Sequence, residues 1–373
     1  MLPWWKLGRE MRRFKGQVSA LSDAIRDRFF SRTWNDIVLR SKRRLLPGAQ
    51  PDGPRRAIYL IFPRDGLLES HRHTLAYLAG KGLSITVVSN LPLPPEDEAE
   101  LLTLCHRYLE RPNFGYDFGG YRDGVRLMAA DLAQTKQLVL MNDSVWFPVT
   151  DTDWLDQVDA LDVDFAGTVS QHGLPRVDAA AFRDLQVTYT TDHPRFHYGS
   201  FALAIGPRIL RDPSFLRYWR KLRLSERKRK TVTFGEVGLT AWVLANGYSH
   251  GDTLGVATLA DRLSDLDEAT LREGAARLLM FADKQMSALR EDPDFRLEDL
   301  DRDAVLRLIM TATARTGPGY IPAWLTVLQF GHPFLKKAPA RRSARNAEIT
   351  ADILRTLDTP AARAALKELD AMR

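Results

Sequence analysis

Residues 137–144 read Gln-Leu-Val-Leu-Met-Asn-Asp-Ser, a continuous apolar run that stops at three small polar side chains. A short uninterrupted run of this kind reads as a strand buried on both faces, and such strands belong to sheets covered by helices on either side. Ala57–Phe62 (AIYLIF) and Leu83–Val88 (LSITVV) have the same character. Between them, Ser70–Leu78 reads as a helix that stops at Gly80. Pro95–Glu110 reads as a second, with Glu96, Asp97 and Glu98 in the first turn, where the helix dipole favours carboxylates. Gly124–Leu132 is a further helical stretch, and Asp164–Val169 and Ser200–Ile205 are shorter strand candidates. Strand and helix in alternation predict an α/β fold with a mostly parallel, Rossmann-like sheet, and ligands of such sheets sit outside the carboxyl ends of the strands.

From about residue 259 the pattern turns helical: Leu271, Ala275, Leu278, Leu279, Ala282, Met286 and Leu289 keep a helical period, as do Asp301–Thr313 and Ala347–Met372. Toward the amino end, Pro47-Gly48-Ala49-Gln50-Pro51-Asp52-Gly53-Pro54 reads as a linker. The expected organisation is a basic arm and linker (1–54), an α/β domain (55–258) and a helical region (259–373). The arm is basic in earnest. Residues 1–46 hold 12 Lys/Arg and 4 Asp/Glu, whereas the remaining 327 residues carry a net charge of −2. Trp4, Trp5, Phe14, Phe29, Phe30 and Trp34 lie among those cations. Aromatic rings beside cations suit an anionic lipid surface, and also suit a solvated arm packed on its own domain. The body offers only Lys228-Arg229-Lys230, Lys336-Lys337 and Arg341-Arg342 as further basic runs, so no nucleic-acid partner is expected. With 45% apolar residues, one cysteine (Cys105, read as core) and no long unbroken apolar run, membrane-spanning and disulfide-stapled readings drop out.

Three polar clusters could carry chemistry. Asn113-Phe-Gly-Tyr-Asp117-Phe-Gly-Gly-Tyr-Arg122-Asp123-Gly leads into a helix. Its glycines would let backbone approach a ligand, and Arg122 suits phosphate oxygens; a plain glycine-rich turn reads as well. Asn142-Asp143-Ser144 closes the central strand, where a carboxylate can hold Mg²⁺ or Mn²⁺ or simply cap a turn. Thr233-Phe-Gly-Glu236 reads as a capping box, or as a carboxylate base at a helix start. His197-Tyr198 precedes an apolar strand and could face an acceptor. The strings Asp151-Thr-Asp153 and Asp162-Val-Asp164 read as a helix cap and a turn. No Gly-x-Ser-x-Gly, Walker loop or metalloprotease helix is present.

Together and in order, NFGYDFGGYRDG (113–124), LVLMNDSVWFP (138–148), HYGSFALAIG (197–206), GEVGLTAWVLANGY (235–248) and HPFLKK (332–337) resemble the rhamnan synthesis protein F family of glycosyltransferases. The resemblance covers roughly residues 55–340 and leaves the arm unmatched. It implies a GT-A-like fold that moves a sugar, rhamnose among the candidates, from a nucleotide donor to a lipid-linked or polysaccharide acceptor at the bacterial cell envelope, as in lipopolysaccharide assembly, with inversion. It further implies work at the cytoplasmic side, with peripheral contact to the inner membrane. Under it, Asn113, Gly115, Asp117, Gly119, Arg122, Asn142 and Ser144 hold the donor, Asp143 holds a metal (Mg²⁺ or Mn²⁺), His197 and Tyr198 meet the acceptor, and Glu236 is the base. The usual Asp-x-Asp of such folds is here Asn-Asp-Ser, which motivates the alternative of a non-catalytic glycan- or partner-binding protein that keeps the fold.

Overall fold

The computed structural model describes residues 31–280 and 283–372. Trp4, Trp5, Phe14, Phe29 and Phe30 of the arm lie outside the described residues. In chain order the strands are β1 (Arg44–Pro47), β2 (Arg55–Ile61), β3 (Ser84–Ser89), β4 (Arg107–Glu110), β5 (Gln137–Asn142), β6 (Val145–Trp146), β7 (Phe165–Gly167), β8 (Ser170–Gln171), β9 (His197–Tyr198), β10 (Ala202–Ile205), β11 (His250–Asp252) and β12 (Leu335–Lys336). Eight of them form one sheet in the order β1-β4-β3-β2-β5-β10-β7-β11; β12 pairs with β6, and β8 with β9.

The three apolar runs become the central strands β3, β2 and β5, and side chains of β2 alternate between two cores. Ala57, Tyr59 and Ile61 face one, with Leu75 and Leu78 of the Glu69–Gly80 helix. Ile58 and Leu60 face the other, with Phe118, Tyr121 and Val125 of the Tyr116–Leu127 helix. Burial on both sides is why these strands are largely apolar, with Ser84, Thr86 and Ser89 of β3 small and buried.

The sheet is mixed rather than mostly parallel. The β4/β3, β3/β2, β2/β5 and β7/β11 pairs are parallel. The β1/β4, β5/β10 and β10/β7 pairs are antiparallel. An apolar run such as that of β10 reports burial and not strand direction, so periodicity could not show this. Two boundaries also differ. The Pro95–Leu104 helix stops six residues early, because Tyr108 and Leu109 point to opposite cores and so require strand geometry. Residues 44–47, expected to run from arm into linker, instead pair along β4 as the edge strand. The expected helix 347–372 is two, Ala344–Thr356 and Pro360–Ala371, because Pro360 can only start a helix.

The C-terminal helices do not form a core of their own. Leu259, Leu271, Leu308, Ile353 and Leu369 share one buried cluster with Tyr59, Val87 and Met141 of the sheet. The boundary drawn at 258 therefore divides one packed unit.

From β2 the chain builds β3 and β4 to one side, then returns to place β5 on the other side of β2. The order reverses between β2 and β5, and such a switch point leaves a crevice beyond the strands' carboxyl ends. Because β10 runs antiparallel to β5, with Ala202 opposite Met141, its preceding residues Ser200 and Phe201 reach the same rim.

Candidate active site

Immediately after β5, Asn142-Asp143-Ser144 turns along this rim. Asn142 is buried, and its Oδ1 accepts from the Ser144 N–H at 3.1 Å, which fixes the turn. Its amide nitrogen donates to Asp117 Oδ2 at 3.2 Å and to the Tyr121 hydroxyl at 3.1 Å. Tyr121 in turn donates to the Ser200 carbonyl at 2.8 Å. The turn is thereby tied to the first turn of the Tyr116–Leu127 helix and to the segment before β10.

Asp143 is held from the β2 side. Its Oδ2 accepts from the Phe62 N–H at 2.6 Å and lies 3.5 Å from His71 Nε2. Burial opposes its ionisation, but His71, Lys337 and the Phe62 N–H outweigh burial and hold its carboxyl below the usual aspartate range. Asp143 and Ser144 line a cavity of about 500 Å³ at the switch point, together with Phe62, Arg64, Asp65, Leu68, Lys337, Arg341 and Arg342. Cations outnumber carboxylates in that lining.

Glu236 arrives from the other side. The capping box expected at Thr233-x-x-Glu236 is absent. The helical backbone begins at Lys228 and runs through a π-helical stretch, Val232–Val237, into Gly238–Ala245. Thr233 therefore lies inside the helix and donates back to the Arg229 carbonyl at 2.9 Å. π-Turns re-aim side chains and are frequent at functional sites. Here Glu236 accepts from the Ser200 hydroxyl and lies 3.4 Å from His197 Nε2. Burial alone would raise its carboxyl, but His197 and Ser200 outweigh burial and hold it below the usual glutamate range. For Asp117 the balance is reversed: burial, then the charge of Glu236, pushes it up to about 6.

Lys336 completes the cluster. It sits on β12, which the pairing with β6 brings back to the turn. Its ammonium donates to Ser144 Oγ at 3.1 Å and lies 3.9 Å from the centre of the Phe201 ring. Burial lowers it to about 8, against the pull of Glu236 and Asp117. Lys337 next to it pairs with Glu368 at 3.3 Å, and Glu368 also accepts from Trp146 Nε1 and the Ser70 N–H. The C-terminal helix thus anchors the floor of the site.

Several expected residues are placed elsewhere. Arg122 is fully buried and never reaches the crevice. It makes two hydrogen bonds with Asp36, at 2.6 and 2.7 Å, and donates to the carbonyls of Trp219 and Arg220. Its planar donors clamp the Ser31–Ile37 helix onto the domain. Tyr198 is buried against Phe165 and Phe196, with its hydroxyl 2.6 Å from His250 Nδ1, so it cannot meet an acceptor. Gly119 serves close packing: a Cβ there would collide with the Phe114 carbonyl. Gly115 takes φ 81° at the helix entry, a left-handed conformation that favours glycine. Asn113 is exposed beside that entry. The Asp-x-Asp strings are structural: Asp153 caps Trp154–Leu161, and Asp164 is held by Ser249 and Arg208. Cys105 is buried core, as read.

The residues around Asp143 suit a divalent cation poorly. Among the described residues no group of three or more His, Cys, Asp or Glu side chains could hold a metal ion. One Asp143 oxygen is already engaged, the Asn142 amide points to Asp117, and Ser144 Oγ accepts from an ammonium. A lysine beside the turn repels a second cation.

His71, Ser200, Lys336 and Lys337 join the site although no motif in the sequence marks them as site residues. For the lysines a signal existed: two cations directly after the apolar Pro333-Phe-Leu. His71 and Ser200 sit in ordinary helix and loop contexts and carried none.

A family model described as rhamnan synthesis protein F matches residues 85–271, half of the chain. The chain belongs to that family. The match takes in Asp117, Asn142-Asp143-Ser144, Ser200 and Glu236, and ends before Lys336. A curated relative from Sinorhizobium fredii (strain NBRC 101917 / NGR234), named "Uncharacterized protein y4gN", is 33% identical over 236 residues, 63% of this chain and 57% of its own length. The chain thus spans a little over half of that relative. A solved structure provisionally described as a glucose-1-phosphate thymidylyltransferase from Bacillus anthracis, in complex with a sucrose, aligns with a TM-score of 0.31 at 10% identity, over 53% of this chain and 86% of that one. A likeness of that size carries no weight here.

Proposed function

We propose that this member of the rhamnan synthesis protein F family is a GT-A-like, nucleotide-sugar-dependent glycosyltransferase that extends a lipid-linked or polysaccharide acceptor, with rhamnose a candidate sugar. The observation that carries the reading is the single turn Asn142-Asp143-Ser144. It lines the switch-point cavity on one side and hydrogen-bonds to Asp117 and Lys336 beside Glu236 on the other. Cations around the cavity fit a diphosphate. Glu236, kept ionised, takes the acceptor proton. The acceptor oxygen bonds to the anomeric carbon, the bond from that carbon to the phosphate oxygen breaks, and its electron pair leaves with the nucleoside diphosphate. A base opposite the leaving group gives inversion. The two carboxylates are driven apart in acidity, the usual mark of divided acid–base roles.

A thermal-shift panel of UDP-, GDP-, dTDP- and CMP-linked sugars tests the reading. Stabilisation by at least one donor supports it; no shift with any of them, and no donor hydrolysis, favours the non-catalytic binding protein.

Asp117 makes a pH prediction. Its carboxyl is neutral below about 6 and charged above, and the charged form accepts from sugar hydroxyls more strongly than the neutral acid. Donor turnover should therefore rise with pH through about 6, and Asp117→Asn should lose that limb together with most of its activity. The same limb in the variant contradicts the assignment.

No helix among the described residues is long and apolar enough to cross a membrane. At the amino end of the described chain, however, Trp34 and Ile37 are 54% and 70% exposed next to the basic Arg40–Lys42 segment. This edge supports peripheral contact with an anionic lipid surface, as the arm's composition suggests. Co-sedimentation with phosphatidylglycerol vesicles that is released by salt checks it.

A further inference from the structure

We propose that Lys336 supplies the positive charge for the departing diphosphate, so that a side-chain ammonium does the work of a divalent cation. The inference rests on the donor-site reading above and goes one step beyond it. Its ground is geometric. The β12/β6 pairing holds Lys336 with its ammonium 3.1 Å from Ser144 Oγ, at the turn where Asp143 was expected to bind metal. The Phe201 ring 3.9 Å away and the Tyr320 ring 5.4 Å away wall it in, leaving it 7% exposed.

Such burial is costly for an ammonium unless anions surround it. Glu236 and Asp117 are the carboxylates close enough to act on it. Neither makes a short ion pair with it among the described residues, in contrast to Lys337, which is paired to Glu368 at 3.3 Å. The ammonium is therefore held by hydroxyl and ring contacts, and keeps donor capacity for an incoming phosphate oxygen. The same contacts explain the poor metal cradle. Ser144 Oγ already accepts from the ammonium, whose charge, with that of Lys337 near Asp143, opposes a further cation at the turn. Lys336 meets the adjacent cavity through Ser144, which lines it, and Lys337, Arg341, Arg342 and Arg64 in the same lining supply positive charge toward the rest of a nucleoside diphosphate.

During transfer the bond from the anomeric carbon to phosphate breaks and its electron pair stays on the phosphate oxygen. Negative charge grows there, beside Lys336, and is stabilised more in the transition state than in the ground state. The ammonium keeps its proton throughout, and the acceptor proton goes to Glu236.

Calorimetric titration of the full chain with UDP, GDP and dTDP, and with the matching monophosphates, tests this in EDTA and again with Mn²⁺. At least one diphosphate should bind in EDTA, with its affinity changed less than about twofold by Mn²⁺. Lys336→Met should weaken that diphosphate by about tenfold or more and leave the monophosphate nearly unchanged, while Lys336→Arg keeps most of the preference. A merely structural lysine would not shift the ratio of diphosphate to monophosphate. Binding that appears only with Mn²⁺ overturns the proposal, and so does an unchanged ratio in a folded Met variant. Should the Met variant not fold, the wild-type comparison with and without Mn²⁺ and the Arg variant still decide. If no diphosphate binds under any condition, the donor-site reading itself falls, a result distinct from metal-dependent binding.

Discussion

Glu236→Gln should slow sugar transfer by roughly 10²–10⁴-fold, the usual worth of a positioned general base. The glutamine keeps the shape of the side chain and can still accept from the Ser200 hydroxyl, so the π-helical stretch and the rim need not move. What it cannot do is take a proton. The loss should therefore fall on kcat, with the donor KM within a few-fold of wild type, as for an interaction made only in the transition state. Steady-state kinetics on the donor identified by the panel would measure it. Near-normal turnover would remove Glu236 from the chemistry and leave Asp117 and Asp143 as the remaining carboxylates of the site.

Arg122→Met should act on stability and not on the donor. The substitution keeps the volume of a buried side chain but strands the carbonyls of Trp219 and Arg220 and leaves Asp36 with Arg126 as its remaining cation among the described residues. Breaking one side of a buried ion pair costs about 3–5 kcal/mol. In a chain of this size that lowers the thermal midpoint by about 4–6 °C. The acid side should change as well. Burial works against ionisation of Asp36, yet Arg122 and Arg126 hold it down from 3.8 to about 2. A carboxyl lowered on folding adds stability above its ordinary value and loses that contribution as pH falls toward the folded one. In the variant this part of the acid dependence between about pH 4 and 2 should shrink. Differential scanning calorimetry across pH would show it. An unchanged midpoint with lost nucleotide affinity would restore Arg122 to the donor site.

Arg122 illustrates what the sequence could and could not convey. A guanidinium in a glycine-rich stretch is chemically apt for phosphate, and nothing local reveals that Asp36, 86 residues earlier, claims it. The glycines mislead for a related reason. Gly120 and Gly124 admit Leu60 and Ile58 of β2, so the small residues mark helix–sheet packing, which looks the same in a sequence as room for a ligand. Tyr198 fails by one position: His197 reaches Glu236, while the next residue turns into the core.

What was legible followed from strong local signals. The central strands announced themselves through short, largely apolar runs, and Asn142-Asp143-Ser144 through its abrupt polar stop. The convergence of that turn with Glu236 follows from the antiparallel β10, which carries Ser200 to the same rim, and strand direction is not written in an apolar run. Lys336 was visible only as a basic pair after an apolar segment. Its meaning depends on a pairing between β12 and β6, segments almost two hundred residues apart, that no local pattern encodes.

The central claim is that one rim of the sheet holds the donor. A crystal structure of the chain with the nucleoside diphosphate of its preferred sugar tests that most directly. The diphosphate should lie between the Asn142–Ser144 turn, Lys336 and Arg341, with the nucleoside toward Phe62 and Arg64. Density for it in the separate groove lined by Tyr218, Phe234 and Trp242 would contradict the account.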